Sequence, residues 1–373
     1  MKCEVPLVSV VMPSYNQSQF IEAAVRSVLE QDYTSLELII ADGGSTDGTL
    51  QCLEGLLAHF GHRLRWISEP DSGPANAINK ALGMVRGEII GWLNSDDLYA
   101  SGAVQAAVHC LTARPETVMV YGEGEHIDEN GTRMGRYPTL PPSVSPEVFQ
   151  KGCFICQPTV FLRREGLQHV GFLDESLKTA FDFELWLRIF QQFPERIAFL
   201  DQLLASSRIH AACITSRQRR LVAMENMRIL SKYFGHAQPH WLLTYAEELC
   251  QNYPFGVESG DMQALVDEAL SEAAGYIEEH SLARLKETLA QDARFRLAVP
   301  GIFATVYSDG WAPETLVIRL RRAGGKNVLL HCEHRWPVFQ PICLEITASW
   351  GIGFAMTVEK SGPFTIAMTI PET

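Results

Sequence analysis

The amino-acid sequence predicts an α/β fold with a mostly parallel sheet, followed by a helical segment and a small all-β C-terminal module. Three observations carry this. Apolar runs at residues 6–12, 36–41 and 89–93 alternate with stretches whose apolar positions recur at helical spacing, the pattern of a parallel sheet covered by helices. Each run stops on a polar turn, and ligands of open α/β sheets bind at such strand ends. From about residue 306 the texture changes to short strands between turns, as in a small β-sandwich. The division expected is 1–235, 236–300 and 301–373.

Residues 6–12 (PLVSVVM) form the first predicted strand, broken by Pro13-Ser14-Tyr15-Asn16. Phe20, Ile21, Ala24, Val25, Val28 and Leu29 then share one helical face. The next strand, 36–41, ends in a turn from Asp42 to Thr49 whose Ser, Thr and Asp can cap a helix over 49–60. A strand over 65–68 leads into 69–75, where Ser72 or Gly73 can cap a helix with Pro74 in its first turn. That helix carries Ala77, Ile78, Ala81, Leu82 and Val85 inward. Its Asn76, Asn79 and Lys80 either meet phosphate or ribose at the open end or form a solvated face.

The organising stretch is 89–97, an apolar run that stops on Asp96-Asp97. Adjacent carboxylates repel each other unless a cation or substrate group compensates them, and a hard divalent ion carrying a diphosphate would do so. The simpler alternative is that Ser95 or Asp96 caps a helix starting near Ser101. A strand over 117–121 follows, then a Gly- and Pro-rich stretch, 122–146, with a hairpin tip at Asn130-Gly131 and a connection expected over the site. Residues 157–162 read as a strand, 171–175 as a loop, and 179–188 as a helix with Leu185, Trp186, Ile189 and Phe190 on its buried face. Asp182, near its start, is either an acid favoured by the helix dipole or a general base. A strand over 203–210 ends on His210, a capping residue or a ligand. Neither a G-x-G-x-x-G nor a P-loop fingerprint is present.

Four blocks in order, 8–16 (VSVVMPSYN), 27–31 (SVLEQ), 37–47 (ELIIADGGSTD) and 87–97 (GEIIGWLNSDD), resemble the N-terminal signature of glycosyltransferase family 2, with the GT-A fold. The resemblance implies an enzyme that moves a sugar from a nucleotide diphosphate donor, with inversion, using Mn2+ or Mg2+. It places Pro13, Tyr15 and Asp42 on the nucleotide, with Asp71, Gly73, Asn76, Asn79 and Lys80 joining the substrate-binding set. Asp96 is then expected on the donor ribose or sugar, Asp97 on the metal, His210 on the metal or diphosphate, and Asp182 as the base. One departure stands out: many members carry two adjacent acids where this chain has Asp42-Gly43, which weakens the assignment of uridine. The Gln-x-x-Arg-Trp motif of processive synthases is not found, which favours single addition to a glycan or lipid-linked acceptor in surface polysaccharide synthesis. A sugar nucleotidyltransferase and a non-catalytic nucleotide-sugar-binding scaffold are the competing readings.

Net charge of −13 argues against a nucleic-acid partner, whose phosphates need clustered Lys and Arg. No apolar run reaches the roughly 18 residues of a membrane-spanning helix. A cytoplasmic protein is therefore expected, with at most peripheral contact at the inner membrane. Nine cysteines, an odd count on a long chain, read as reduced thiols, and Cys153-x-x-Cys156 has no second pair at zinc-finger spacing. In the tail, stripes at Ala264, Leu265, Ala269 and Leu270 and at Leu282, Leu285 and Leu289 predict helices. Trp311, Trp336 and Trp350 in the β module either stack sugar rings or fill its core, and the module is a candidate surface for homo-oligomer contact.

Overall fold

The computed structural model describes residues 5–210, 212–252 and 259–291, and the backbone of four strands at 327–334, 342–347, 353–358 and 362–369. The chain divides into two compact units, 1–233 and 234–373.

The first unit opens with β1 (Val8–Ser14), α1 (Ile21–Leu29), β2 (Leu36–Asp42), α2 (Thr49–Phe60), β3 (Leu64–Ser68), α3 (Pro74–Leu82) and β4 (Ile89–Trp92). These four strands run parallel, β1 lying between β2 and β4 and β2 pairing with β3. Val8, Val10 and Met12 are fully buried and share one core with Ile21, Val25 and Val28 of α1. Each residue of β1 except Pro13 is buried, which is why its sequence reads as a continuous apolar run rather than an alternation. A carboxylate inside this layer, Glu37, is compensated by Ser9 Oγ (2.6 Å) and by Arg65 (3.3 Å).

Beyond β4 the chain forms β5 (Leu98–Tyr99), α4 (Ala103–Ala113), β6 (Met119–Ile127), β7 (Arg133–Arg136), β8 (Phe161–Arg163), α5 (Arg164–Val170), α6 (Phe181–Gln192) and β9 (Ile197–Arg208). The sheet order is β3-β2-β1-β4-β8-β6-β9-β5, with β7 paired to β6. The expected parallel arrangement holds for β1 to β4 and for β6 with β9; β8 runs antiparallel to both neighbours, and β5 antiparallel to β9. The sheet is therefore mixed.

Several boundaries differ from the expected ones for local reasons. Residues 98–99 pair with β9, so the following helix starts at Ala103 behind Gly102, and neither Ser95 nor Asp96 caps it. Gln157–Thr159 is a single 3-10 turn rather than a strand, and β9 ends two residues before His210. Val85 lies beyond α3 and is half-buried.

Past β9 come α7 (Ile214–Arg217) and α8 (Arg219–Phe234). The second unit contains α9 (His240–Asn252), α10 (Ser259–Ala273) and α11 (Glu279–Gln291). The buried stripe of α10 is Val266, Ala269, Leu270 and Ala273, with Ala264 exposed, whereas Leu282, Leu285 and Leu289 of α11 are buried as expected. Then β10 (Asn327–His334) pairs antiparallel with β13 (Gly362–Thr369), and β11 (Ile342–Thr347) with β12 (Gly353–Val358). The start of the expected β module, from residue 306 to 326, and Trp311, Trp336 and Trp350 lie outside the described residues. Among the described residues no helix is long and apolar enough to cross a membrane.

Candidate active site

Three loops meet at the carboxyl ends of β1, β2 and β3. Asp42, the last residue of β2, is 2% exposed. Its carboxylate accepts the N–H groups of Gly44 (3.0 Å) and Ser45 (2.8 Å) and the hydroxyls of Ser68 (2.7 Å) and Ser45. Asp42, expected on the nucleotide, therefore also folds the turn. Asn16 locks this turn to the end of β1: its side chain accepts Thr46 N–H (2.9 Å) and its own N–H reaches Ser45 Oγ (2.7 Å). It does so at φ +52°, a left-handed conformation that Asn tolerates better than most residues.

Tyr15 stands 61% exposed above this turn, with Pro13 half-buried behind it. The neighbouring loop brings the carboxylate of Asp71 against Gly43. A Cβ on Gly43 would lie 2.5 Å from Asp71 Oδ2 and 3.3 Å from the Tyr15 ring, so the Asp71 carboxylate occupies the place that a side chain at 43 would take. Asp71 is steadied by Gly73 N–H (2.8 Å), which sits at φ +131° immediately before α3.

The polar residues of α3 make bonds to nearby loops. Asn79 donates to Leu173 O (2.9 Å) and Glu175 (2.8 Å), Asn76 donates to Glu175 (2.9 Å), and Lys80 pairs with Glu69 (2.8 Å) and Pro70 O (3.0 Å). Beside the two roles expected of them, these residues bond to neighbouring loops. They tie the 69–76 loop to the 173–178 loop, and Lys178 adds a bond to Ser72 O (2.7 Å).

At the end of β4 the two adjacent acids point in different directions. Asp97 is 3% exposed, accepting Arg208 N–H (2.8 Å) on one oxygen and Asn94 Nδ2 (3.2 Å) on the other. Burial, then the charge of Asp96, pushes its carboxyl well above the usual range. Each oxygen of Asp97, the residue expected on the metal, thus has a protein donor. Asp96 turns outward instead, and its Oδ2 lies 3.1 Å from His210 Nε2. Two ligands each about 2 Å from a shared tetrahedral ion lie about 3.3 Å apart, so this pair fits a divalent cation without rearrangement. His210 packs on Phe20 (ring centroids 4.8 Å apart), and the Arg208 guanidinium lies over the same ring at 4.9 Å.

Gln157, which no motif in the sequence marks, braces the segment that leads to the acids. It donates to Trp92 O (2.9 Å) and accepts from Asn94 (3.0 Å), whose oxygen in turn accepts the Trp92 indole N–H (3.1 Å).

Asp182 is the second residue of α6. Its neighbour Phe181 stacks on Trp92 at 5.8 Å, and Trp186 packs on the same indole at 6.3 Å. The helix is therefore pinned to the strand that delivers Asp96, on the carboxyl side of the sheet. Asp182 is half-buried, and desolvation pushes its carboxyl up to about 6 although Phe183 N–H (2.8 Å) partly offsets this. A second unforeseen residue, Glu225 of α8, is 5% exposed and accepts the N–H groups of Lys178 (2.8 Å), Thr179 (2.8 Å) and Ala180 (3.0 Å) and the Thr179 hydroxyl (2.7 Å). These are the donors that precede α6, so a carboxylate from another helix fixes where Asp182 begins. An acid beside Ala223, Met224 and Met227 in a buried stripe was the only signal in the sequence.

The parallel strands with their polar loops, the outward Asp96 after β4 and the Asp182 helix packed on Trp92 define a GT-A-like α/β domain. A family model described as glycosyl transferase family 2 matches residues 9–171, a little under half of the chain. It is 33% identical over 190 residues to a chondroitin synthase of Escherichia coli, covering 51% of this chain and 27% of that protein. It is 29% identical over 222 residues to the glycosyltransferase RP339 of Rickettsia prowazekii (strain Madrid E), covering 57% of this chain and 66% of that one. The chain thus spans less than two thirds of these relatives. Among solved structures, S. aureus TarS residues 1–349 in complex with UDP-GlcNAc superposes with a TM-score of 0.52 at 18% identity, covering 84% of this chain and 97% of that chain.

Proposed function

We propose that this chain is an inverting glycosyltransferase that moves a sugar from a UDP-sugar to a hydroxyl of a glycan or lipid-linked acceptor, with residues 1–235 performing the transfer. The observation that carries this reading is the half-buried carboxyl of Asp182 on a helix stacked against Trp92, in the strand that delivers Asp96. A sugar hydroxyl is a poor nucleophile until a positioned base accepts its proton, and a carboxyl held near 6 is ionised at neutral pH yet more basic than an ordinary one. As the acceptor oxygen bonds to the anomeric carbon on the face opposite the leaving diphosphate, Asp182 takes the proton, and single displacement inverts that carbon.

Exposed Tyr15 offers a stacking surface for a base, and the Asp71 carboxylate accepts a ring N–H such as the imide of uracil. The UDP-GlcNAc complex of TarS is in keeping with a uridine donor, and a chondroitin synthase among the relatives with a glycan product. Asp96 and His210 would hold a divalent cation, Mn2+ or Mg2+, which supplies charge neutralisation for the departing diphosphate.

The test is UDP release from a panel of UDP-sugars with glycan oligomers as acceptors. Asp182→Asn is expected to lower turnover by about 10²- to 10⁴-fold while UDP still binds in the calorimeter. Undiminished turnover in that variant would end the mechanism, and absence of any UDP binding to the parent protein would end the reading as a whole.

A further inference from the structure

Besides Asp96 and His210, a third ligand atom converges on the same point. Asp96, His210 and Cys213 each offer one atom within 4.8 Å of the other two, and all three side chains are partly open to solvent. They come from two separate segments, the turn after β4 and the turn after β9. The second is tightly wound: Cys213 N–H donates to His210 O (3.1 Å), His210 N–H reaches the Cys213 sulfur (3.3 Å), and the thiol donates to Arg208 O (3.4 Å). Arg208 is itself anchored, its Nε donating to Asp96 O (2.8 Å). One short turn thus folds a sulfur back beside the imidazole, and the residue behind it is bonded to the segment that carries the carboxylate.

We propose that Cys213 is a third protein ligand of the ion held by Asp96 and His210, and that the site prefers a thiophilic ion of the zinc or cobalt type to Mg2+. This rests on the reading of Asp96 and His210 as ion-facing groups. A carboxylate oxygen, an imidazole nitrogen and a thiolate sulfur make a mixed donor set that suits zinc-like ions, whereas Mg2+ keeps oxygen ligands and water. The Asp96–His210 edge already has ligand spacing at 3.1 Å. The sulfur closes the remaining distance when it exchanges the Arg208 carbonyl for the ion. In that step the S–H bond breaks, the proton passes to solvent and a sulfur–metal bond forms. Three protein ligands leave further coordination positions to water or to a diphosphate oxygen.

The experiment uses the full chain in three forms, parent, Cys213→Ser and Asp96→Asn, titrated with Co2+ and followed by absorption. Zn2+ and Mg2+ affinities are measured by calorimetry. The expected result is a thiolate-to-cobalt charge-transfer band in the near ultraviolet with the parent. In Cys213→Ser the band is lost but the visible cobalt spectrum persists. Zn2+ affinity should fall at least ~10-fold in Cys213→Ser, with Mg2+ affinity within about two-fold of the parent. A band that survives in Cys213→Ser comes from another thiol and overturns the proposal. Co2+ binding that needs Asp96 but gives no band in the parent overturns the role of Cys213 and leaves the Asp96–His210 pair standing. If Co2+ fails to bind the parent, with or without UDP, both readings fall.

Discussion

At the scale of single residues, the site depends on which way neighbouring side chains point. Asp96 and Asp97 are indistinguishable in the sequence, and the resemblance to the family assigned the ion to the second; the backbone N–H of Arg208 claims that one and leaves the first outward. Asp182 gives a pH-dependent prediction. Its carboxyl is raised from 3.8 to about 6, so the proton is bound more tightly in the folded chain than in the unfolded one. Stability from this group is complete below about pH 4 and is lost as pH rises through about 6, leaving an ionised group that costs about 1–3 kcal/mol at neutral pH. Asp182→Asn should therefore melt higher than the parent at pH 7.5, the gap closing near pH 4, while kcat/KM of the parent should fall tenfold per unit below about pH 6. The place over Gly43 gives another test. Gly43→Asp puts a second carboxylate against Asp71, where a Cβ already lies 2.5 Å from its oxygen, and should raise the KM for the donor about tenfold or more. Adding Asp71→Ser, which clears the space and leaves one acid, should recover most of that loss.

At the scale of elements, helical periodicity located α1 and α3, and the polar turn after β2 located α2; α1 and α3 each lay one apolar face on the sheet, and the 3.6-residue repeat survives in the sequence. The two-residue β5 and the turn at Gln157–Thr159 escaped, since each exists only through partners distant in the chain, Ser206 and Ala205 for one and Trp92 and Asn94 for the other. The contact of α8 with the start of α6 is a third such feature. Glu225→Ala removes the acceptor for four donors and should destabilise the first unit by about 2–4 kcal/mol in urea melts. Glu225→Gln keeps the shape but weakens the bonds. It should lower kcat more than it raises the donor KM, because the start of the helix carrying Asp182 is what loosens. Equal effects on both constants would show that Glu225 only holds the fold.

At the scale of the whole molecule, the proposed function means that donor and ion would bind the folded first unit and not the unfolded chain, and so stabilise it by mass action. UDP with Mn2+ at 100 times the dissociation constant should add about 2.7 kcal/mol and raise the melting temperature by several degrees, and Asp96→Asn should abolish the Mn2+-dependent part of that rise. A parallel α/β core, the loops that end its strands and the residues that cluster there were all written in the sequence. Burial on both faces forces continuous apolar runs, and their abrupt polar ends mark where ligands can sit. What only the tertiary structure decided was the division of labour among those polar residues. Asp42, Asn76, Asn79 and Lys80 are spent on holding loops, Asp71 fills the space over Gly43, and Asp96 rather than Asp97 faces His210. Periodicity reports which face of an element is buried; the direction of a polar side chain in a loop is set by hydrogen-bond donors dozens of residues away, and those become neighbours only once the sheet has formed.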